Sequence, residues 1–286
     1  MPEDFQAIGQ FYEDFSQVTD EEVTQLLQRA ARPVLQSVGQ DDPPDAEGRA
    51  NMIPGRTSEH DGIKREVSID LQGFTLDGTL FLPKQANGLV LFAHGSGSSR
   101  HSPRNRFVAQ VLHSRKIGTF LFDLLTQEEE ARDRYTGEFR FNIPFLASRL
   151  IGATKWAASG SETRGLKIGY FGASTGAGAA LIAAGELSEL VSAVVSRGGR
   201  PDLAEEALGY VRAPTLLIVG GNDEPVIAMN REALARLYCA DKKLVIIPGA
   251  THLFEEPGTL EEVARLAAEW FSEHFRTTTK PQSLSA

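Results

Sequence analysis

The decapeptide FGASTGAGAA, residues 171–180, sets one serine and one threonine among glycines and alanines, directly after the apolar run Leu166–Phe171. A serine hydroxyl is a weak nucleophile until an imidazole accepts its proton, and that imidazole needs a carboxylate to fix its tautomer and stabilise its charged form. Gly172-Ala-Ser174-Thr-Gly176 has the G-x-S-x-G form of a nucleophile elbow, where small neighbours let a strand turn sharply into a helix. Alone, the pentapeptide reads equally as a glycine-rich turn. If Ser174 is a nucleophile, a carboxylate and a histidine must follow it, in that order, each just beyond a strand. PTLLIVGGNDEPV supplies Asp223, and KLVIIPGATHLF supplies His252. Glu224 and Glu255 are neighbouring carboxylates that compete for the acid's place, but Asp223 fits the strand-end turn best.

An oxyanion formed at such a serine needs N–H donors. The N–H of Thr175 is one, at the start of the following helix. FAHGSGSSR offers Gly95, Ser96 and Gly97 for a second, and Ser96 is favoured. His94 precedes the serine in the chain and reads as a shaper of that loop. His101 lies close enough to touch substrate, and His60, His113 and His274 read as surface residues. Asp123, ending TFLFD, reads as a helix cap or turn brace. Arginines gather where strand-end loops converge: Arg100 and Arg104 in GSGSSRHSPRNR, Arg197 and Arg200 in VVSRGGRPD. They either pair with local carboxylates such as Asp202 and Glu128 or hold an anionic group of the substrate. Arg100 and Arg197 are the preferred substrate contacts.

The elements that would position these residues come in two regimes. Over residues 1–61, VTDEEVTQLLQRAARPVLQSV carries a capping box at Thr19 and Glu22 and an apolar helical face. A Pro-, Gly- and Asp-rich stretch follows and reads as a linker. This N-terminal helical extension carries no chemistry, and a homodimer contact is one use for it. Residues 64–70 and 74–82 read as an antiparallel pair, with Asp77-Gly78 as a turn or bulge. Thereafter GLVLFAH, IGTFLF, LKIGYF, VSAVVS, APTLLIVG and KLVIIP alternate with helices near 104–115, 142–159, from 175, 202–208, 226–239 and 258–275. Continuous apolar strands between helices predict a mostly parallel, doubly wound α/β sheet covered on both faces over residues 62–276, with 277–286 as a tail. The charged segment TQEEEARDRYTGEFRFNIPFLASRL forms either a rim over the site or a solvated loop.

Composition narrows the classes further. The chain has 286 residues, 41% of them hydrophobic, enough for a sizeable core. Its net charge of −9 argues against non-specific nucleic-acid binding. The lone cysteine, Cys239, expected in a helix, excludes a cysteine-rich metal site and an intramolecular disulfide. An acidic N-terminus without an apolar core, and the absence of a membrane-length apolar run, give the expectation of a cytoplasmic protein with no membrane partner.

At HGSGSS, GASTG, GGNDEPV and PGATHLFEEPGTL the sequence resembles the α/β-hydrolase superfamily and, more narrowly, the dienelactone hydrolase-like family, over about residues 62–275. The family's namesake enzymes have cysteine at the elbow where this chain has Ser174. The resemblance implies the α/β-hydrolase fold and cleavage of a small-molecule ester or lactone, without cofactor or metal. An acyltransferase, thioesterase or peptidase would use the same three residues, and a catalytically silent binding or regulatory module is the alternative of another kind.

Overall fold

The computed structural model describes residues 62–276, Gln72 excepted. The expected N-terminal helix, the linker, His60 and the C-terminal tail lie outside the described residues. Eight strands form one sheet in the order β1-β2-β4-β3-β5-β6-β7-β8. They are β1 (Gly62–Asp70), β2 (Thr75–Pro83), β3 (Gly88–Ala93), β4 (Ile117–Phe122), β5 (Lys167–Ala173), β6 (Val191–Arg197), β7 (Thr215–Gly220) and β8 (Lys242–Ile247). β1 and β2 pair antiparallel, β2 meets β4 antiparallel, and every other neighbour is parallel. This is the α/β-hydrolase arrangement.

β3, β4 and β7 are buried at every position, as continuous apolar runs covered on both faces require. One face packs on α1 (Pro103–Ser114) and α6 (Thr259–His274), through Val108, Leu112, Val263 and Phe271. The other packs on α3 (Ile143–Ser159) and α4 (Thr175–Glu186), through Leu146, Leu150, Ala180 and Leu181. The alanines and glycines of α4 are almost all buried, so this helix lies close against the sheet, as its composition predicts. α5 (Glu224–Arg236) follows β7, and a 3₁₀ segment, Pro201–Tyr210, stands where an α-helix is expected near 202–208. Among the described residues no helix is long and apolar enough to cross a membrane.

Four local expectations change. Asp77 and Gly78 form neither turn nor bulge: they sit inside β2 in unbroken register with Ser68 and Val67. Gly78 is glycine because a Cβ there would run into the Phe120 ring and Phe122. Cys239 lies beyond the end of α5, where the chain leaves the helix and buries Leu237 and Cys239 in the core. His113 and His274 are half-buried rather than on the surface. His113 stacks on Phe81 at 3.9 Å and bonds Thr119, while His274 meets the edge of Trp270 and Asp241.

The charged segment after β4 is an ordered helix with a tied-down loop. α2 (Gln127–Thr136) opens with a reciprocal capping box between Thr126 and Glu129 and closes on Gly137 in the left-handed conformation. The buried Asp133 accepts the Phe139 N–H at 2.6 Å and Arg140 Nε at 2.5 Å. Glu129 holds Arg149 of α3, whose guanidinium lies 3.4 Å from the centroid of the Phe74 ring. The segment is thus fastened both to itself and to α3.

Candidate active site

β5 ends at Ala173, and Ser174 caps α4 with φ 50° and ψ −123°. A non-glycine residue in that region stores roughly 1–3 kcal/mol of strain and persists only where its surroundings fix it. Here they do so through the backbone. The Ser174 N–H donates to the Arg197 carbonyl at 3.3 Å, and the Ser174 carbonyl accepts from the Ala177 and Arg200 N–H groups at 3.1 and 3.0 Å. The two motif glycines have a steric reason. A Cβ at Gly172 would press on the Ala177 backbone, and one at Gly176 would collide with the carbonyl oxygens of Ala93 and His94. The sharp turn therefore needs the G-x-S-x-G spacing.

Two strands along, the loop after β7 carries Asp223 to the N-cap of α5, yet its side chain makes no capping bond. The carboxylate instead meets His252, with Nδ1 and Oδ2 2.7 Å apart. Asp223 is buried and His252 is 30% exposed at the side chain, so the acid is shielded while the ring reaches the surface of the site. The bond at Nδ1 leaves Nε2 as the free ring nitrogen to exchange a proton. Glu224 is exposed and Glu255 pairs with Arg104 at 3.3 Å, so neither competing carboxylate occupies the acid's place. Gly198, at φ 52°, lies directly under the histidine: a Cβ there would be 3.0 Å from the His252 carbonyl and 3.5 Å from Nδ1.

The loop after β3 closes the near side. His94 accepts the Leu124 N–H at Nε2, 3.2 Å, and its Nδ1 lies 3.0 Å from the Gly95 carbonyl, so the ring braces the loop with its proton on Nδ1. The Thr175 N–H sits in the first turn of α4, where helices leave N–H groups without an intrahelical acceptor. The Ser96 N–H, expected as the second donor, is already engaged: it donates to Thr175 Oγ1 at 2.9 Å. A substrate oxygen must share that N–H with the hydroxyl or displace it. Sequence reasoning did not foresee this bond, because it joins residues far apart in the chain.

The arginines separate into distinct environments. Arg100 is taken by Asp123, which accepts its backbone N–H at 2.8 Å and pairs with its guanidinium. Arg200 forks onto Asp202, Nη2 to Oδ2 2.6 Å. These are the local pairings that sequence reading offers as the plain alternative. Arg197, the last residue of β6, is buried, and its guanidinium lies 5.8 Å from the centroid of the Phe254 ring. His101 is exposed.

The open, mostly parallel sheet with its strained serine turn at the carboxyl edge of β5 defines an α/β-hydrolase. Comparison with known proteins narrows the class: the chain belongs to the dienelactone hydrolase family, whose model matches residues 123–278. It is 59% identical to the crystal structure of a dienelactone hydrolase from Anabaena variabilis ATCC 29413, with a TM-score of 0.74 over 76% of this chain and 100% of that one. Est1E from Butyrivibrio proteoclasticus, 17% identical with a TM-score of 0.61 over 73% of this chain and 98% of its own, shares the fold. A Mycobacterium tuberculosis (strain ATCC 25618 / H37Rv) protein, provisionally named a phosphoribosyl transferase, is 49% identical over 94% of this chain. The chain spans only 57% of that relative's length.

Proposed function

We propose that this protein is a serine hydrolase that cleaves a carboxylic ester or lactone through an acyl-enzyme on Ser174. The observation that carries the reading is the strained turn at Ser174 on the same sheet edge as the Asp223–His252 hydrogen bond of 2.7 Å. His252 Nε2 takes the Ser174 proton as Oγ attacks the acyl carbon, and Asp223 holds the ring and offsets the charge it gains. The Thr175 N–H, joined by the Ser96 N–H, receives the oxyanion. Collapse of the tetrahedral species breaks the acyl–oxygen bond, His252 returns the proton to the departing alkoxide, and water repeats the sequence to release the acid. A lactone gives one ring-opened product instead of two fragments. No step calls for a metal or an organic cofactor. Residues 62–276 are the catalytic unit in this reading, and residues 1–61 an accessory extension.

The dienelactone hydrolase name of the Anabaena variabilis protein supports lactone or ester chemistry here. The transferase name of the mycobacterial relative describes a protein of which this chain spans 57%, so that name can belong to the part without a counterpart here. The test is a panel of p-nitrophenyl esters, lactones and thioesters of varied chain length and charge, run on wild type and Ser174→Ala. Turnover of esters or lactones that vanishes in the variant is expected. Unchanged turnover in the variant overturns the assignment, and transfer to an added alcohol or amine in preference to water would make the enzyme an acyltransferase.

A further inference from the structure

His252 lies in the loop between β8 and α6, so its ring stays on Asp223 only while that loop keeps its shape. The stretch before it is docked on the acid's own turn. The Gly221 N–H donates to the Ile247 carbonyl at 2.8 Å, the Asn222 N–H to the Ala250 carbonyl at 2.9 Å, and Asn222 Nδ2 to the Gly249 carbonyl at 3.0 Å. Beyond His252 the chain takes a costlier course. Phe254 turns through φ 57° with its side chain buried in the core, a conformation that a bulky residue keeps only where its surroundings impose it. We propose that Glu256 is a positioning residue for His252: its carboxylate closes the histidine loop onto Thr251 and so keeps the imidazole on Asp223.

Glu256 Oε2 accepts the Thr251 N–H at 3.1 Å, and the Thr251 hydroxyl bonds the same carboxylate, so residues 251–256 form a closed ring with His252 inside it. The far side of the ring is fixed to α6, because the Glu256 carbonyl accepts both the Thr259 N–H at 3.1 Å and the Thr259 hydroxyl at 2.7 Å. Burial works against the charge of Glu256, yet the Thr251 hydroxyl and the N–H groups of Glu256, Thr251 and Glu255 outweigh it and hold its pKa below the ordinary carboxylate range. The plain alternative is a helix cap, since acidic side chains at a helix start ordinarily bond its first N–H groups. The N-cap of α6 is instead Gly258, with no side-chain bond, and the Glu256 carboxylate reaches back along the chain to the residue before the histidine. Thr251 is exposed and Glu256 half-buried, so the clamp adds little to overall stability. What it sets is the aim of the ring, and a catalytic group displaced by about 1 Å can cost about 10²-fold in rate. That the ring's aim governs turnover rests on the hydrolase reading; that Glu256 sets the aim does not.

Two readouts keep those claims apart. The first, which needs no substrate, is the downfield proton resonance of the His252 Nδ1–H on Asp223. It should be broadened or lost in Glu256→Ala and kept in Glu256→Gln, whose amide oxygen still accepts the Thr251 N–H. The second is kinetic, on a p-nitrophenyl ester. Glu256→Ala should lower kcat about tenfold with KM within about twofold of wild type, because Glu256 acts through His252 and not on the substrate. Glu256→Gln should restore most of that loss. In a His252→Ala background Glu256→Ala should cost less than about twofold more, since the ring it positions is gone. Both Glu256 variants should melt within about 4 °C of wild type. Should Glu256→Ala fail to fold, Thr251→Val removes the hydroxyl half of the clamp alone and should give the same broadening with a smaller fall in kcat. A resonance that responds in this way without ester turnover in any of the proteins keeps the clamp and removes the hydrolase. An unchanged resonance in Glu256→Ala, or in Thr251→Val where it stands in, overturns the clamp whatever the Tm. A wild type that lacks the resonance, a rise in KM in place of the fall in kcat, or an equal loss in the His252→Ala background overturns it as well.

Discussion

Ser174 is held in a backbone conformation that its own chemistry does not favour, and three main-chain hydrogen bonds keep it there. Ser174→Ala therefore leaves the turn and the fold intact while kcat falls by roughly 10⁴–10⁶-fold; a circular dichroism spectrum like wild type alongside that loss is the expected pair of results. Asp223→Asn, which keeps the shape but loses the charge that offsets the imidazolium, should lose less. Thr175→Val keeps the main-chain N–H but removes the acceptor that ties Ser96 to the elbow. That bond is worth about 1 kcal/mol, so kcat/KM is expected to fall about fivefold, and an increase would mean that the hydroxyl obstructs the oxyanion site. The order serine, aspartate, histidine was legible because each residue follows a strand in the chain. The Ser96–Thr175 bond was not, because it depends on which groups meet across distant segments.

α2 and the loop after it form the segment whose charge pattern alone suits a rim or a solvated loop equally. Its capping box, Thr126 with Glu129, was visible in TQEE, but the high charge of the segment masked it. What orders the loop is the buried Asp133. Burial alone would raise its pKa, yet the Phe139 N–H and the Arg140 side chain and N–H outweigh that and hold it below its ordinary value. A carboxylate depressed in the folded state adds stability that is complete above the ordinary carboxylate range and drains away as pH falls through the lowered value. Asp133→Asn should therefore loosen residues 126–142 by roughly 1–3 kcal/mol, discounted because Arg140 is partly exposed. Hydrogen exchange is the measurement: faster exchange in 126–142 with the β3–β5 core unchanged is expected, and equal protection in both proteins would show that Asp133 is no clamp. The misreadings of Asp77-Gly78 and Cys239 share a cause. Turn-forming and helix-forming types were read locally, whereas packing on Phe120 and the burial of Leu237 decided the outcome.

At the scale of the molecule, the alternation of apolar runs and helices sufficed to predict a mostly parallel sheet, since strands buried on both faces leave an unmistakable pattern. Strand order was not legible: that β4 lies between β2 and β3 follows from crossovers and pairing that no single segment encodes. If residues 1–61 are accessory, a protein lacking residues 1–60 should stay soluble and keep its kcat/KM within about twofold, a change worth well under 1 kcal/mol. A folded but inactive truncation would place that segment in or over the site. Whether Ser174 is the nucleophile is decided by labelling the intact protein with a fluorophosphonate and locating the adduct by peptide mass spectrometry. A single phosphonylated site at Ser174 is expected, absent in Ser174→Ala and reduced in His252→Ala. An unlabelled Ser174 in folded wild-type protein, or equal labelling of Ser174→Ala, would contradict it.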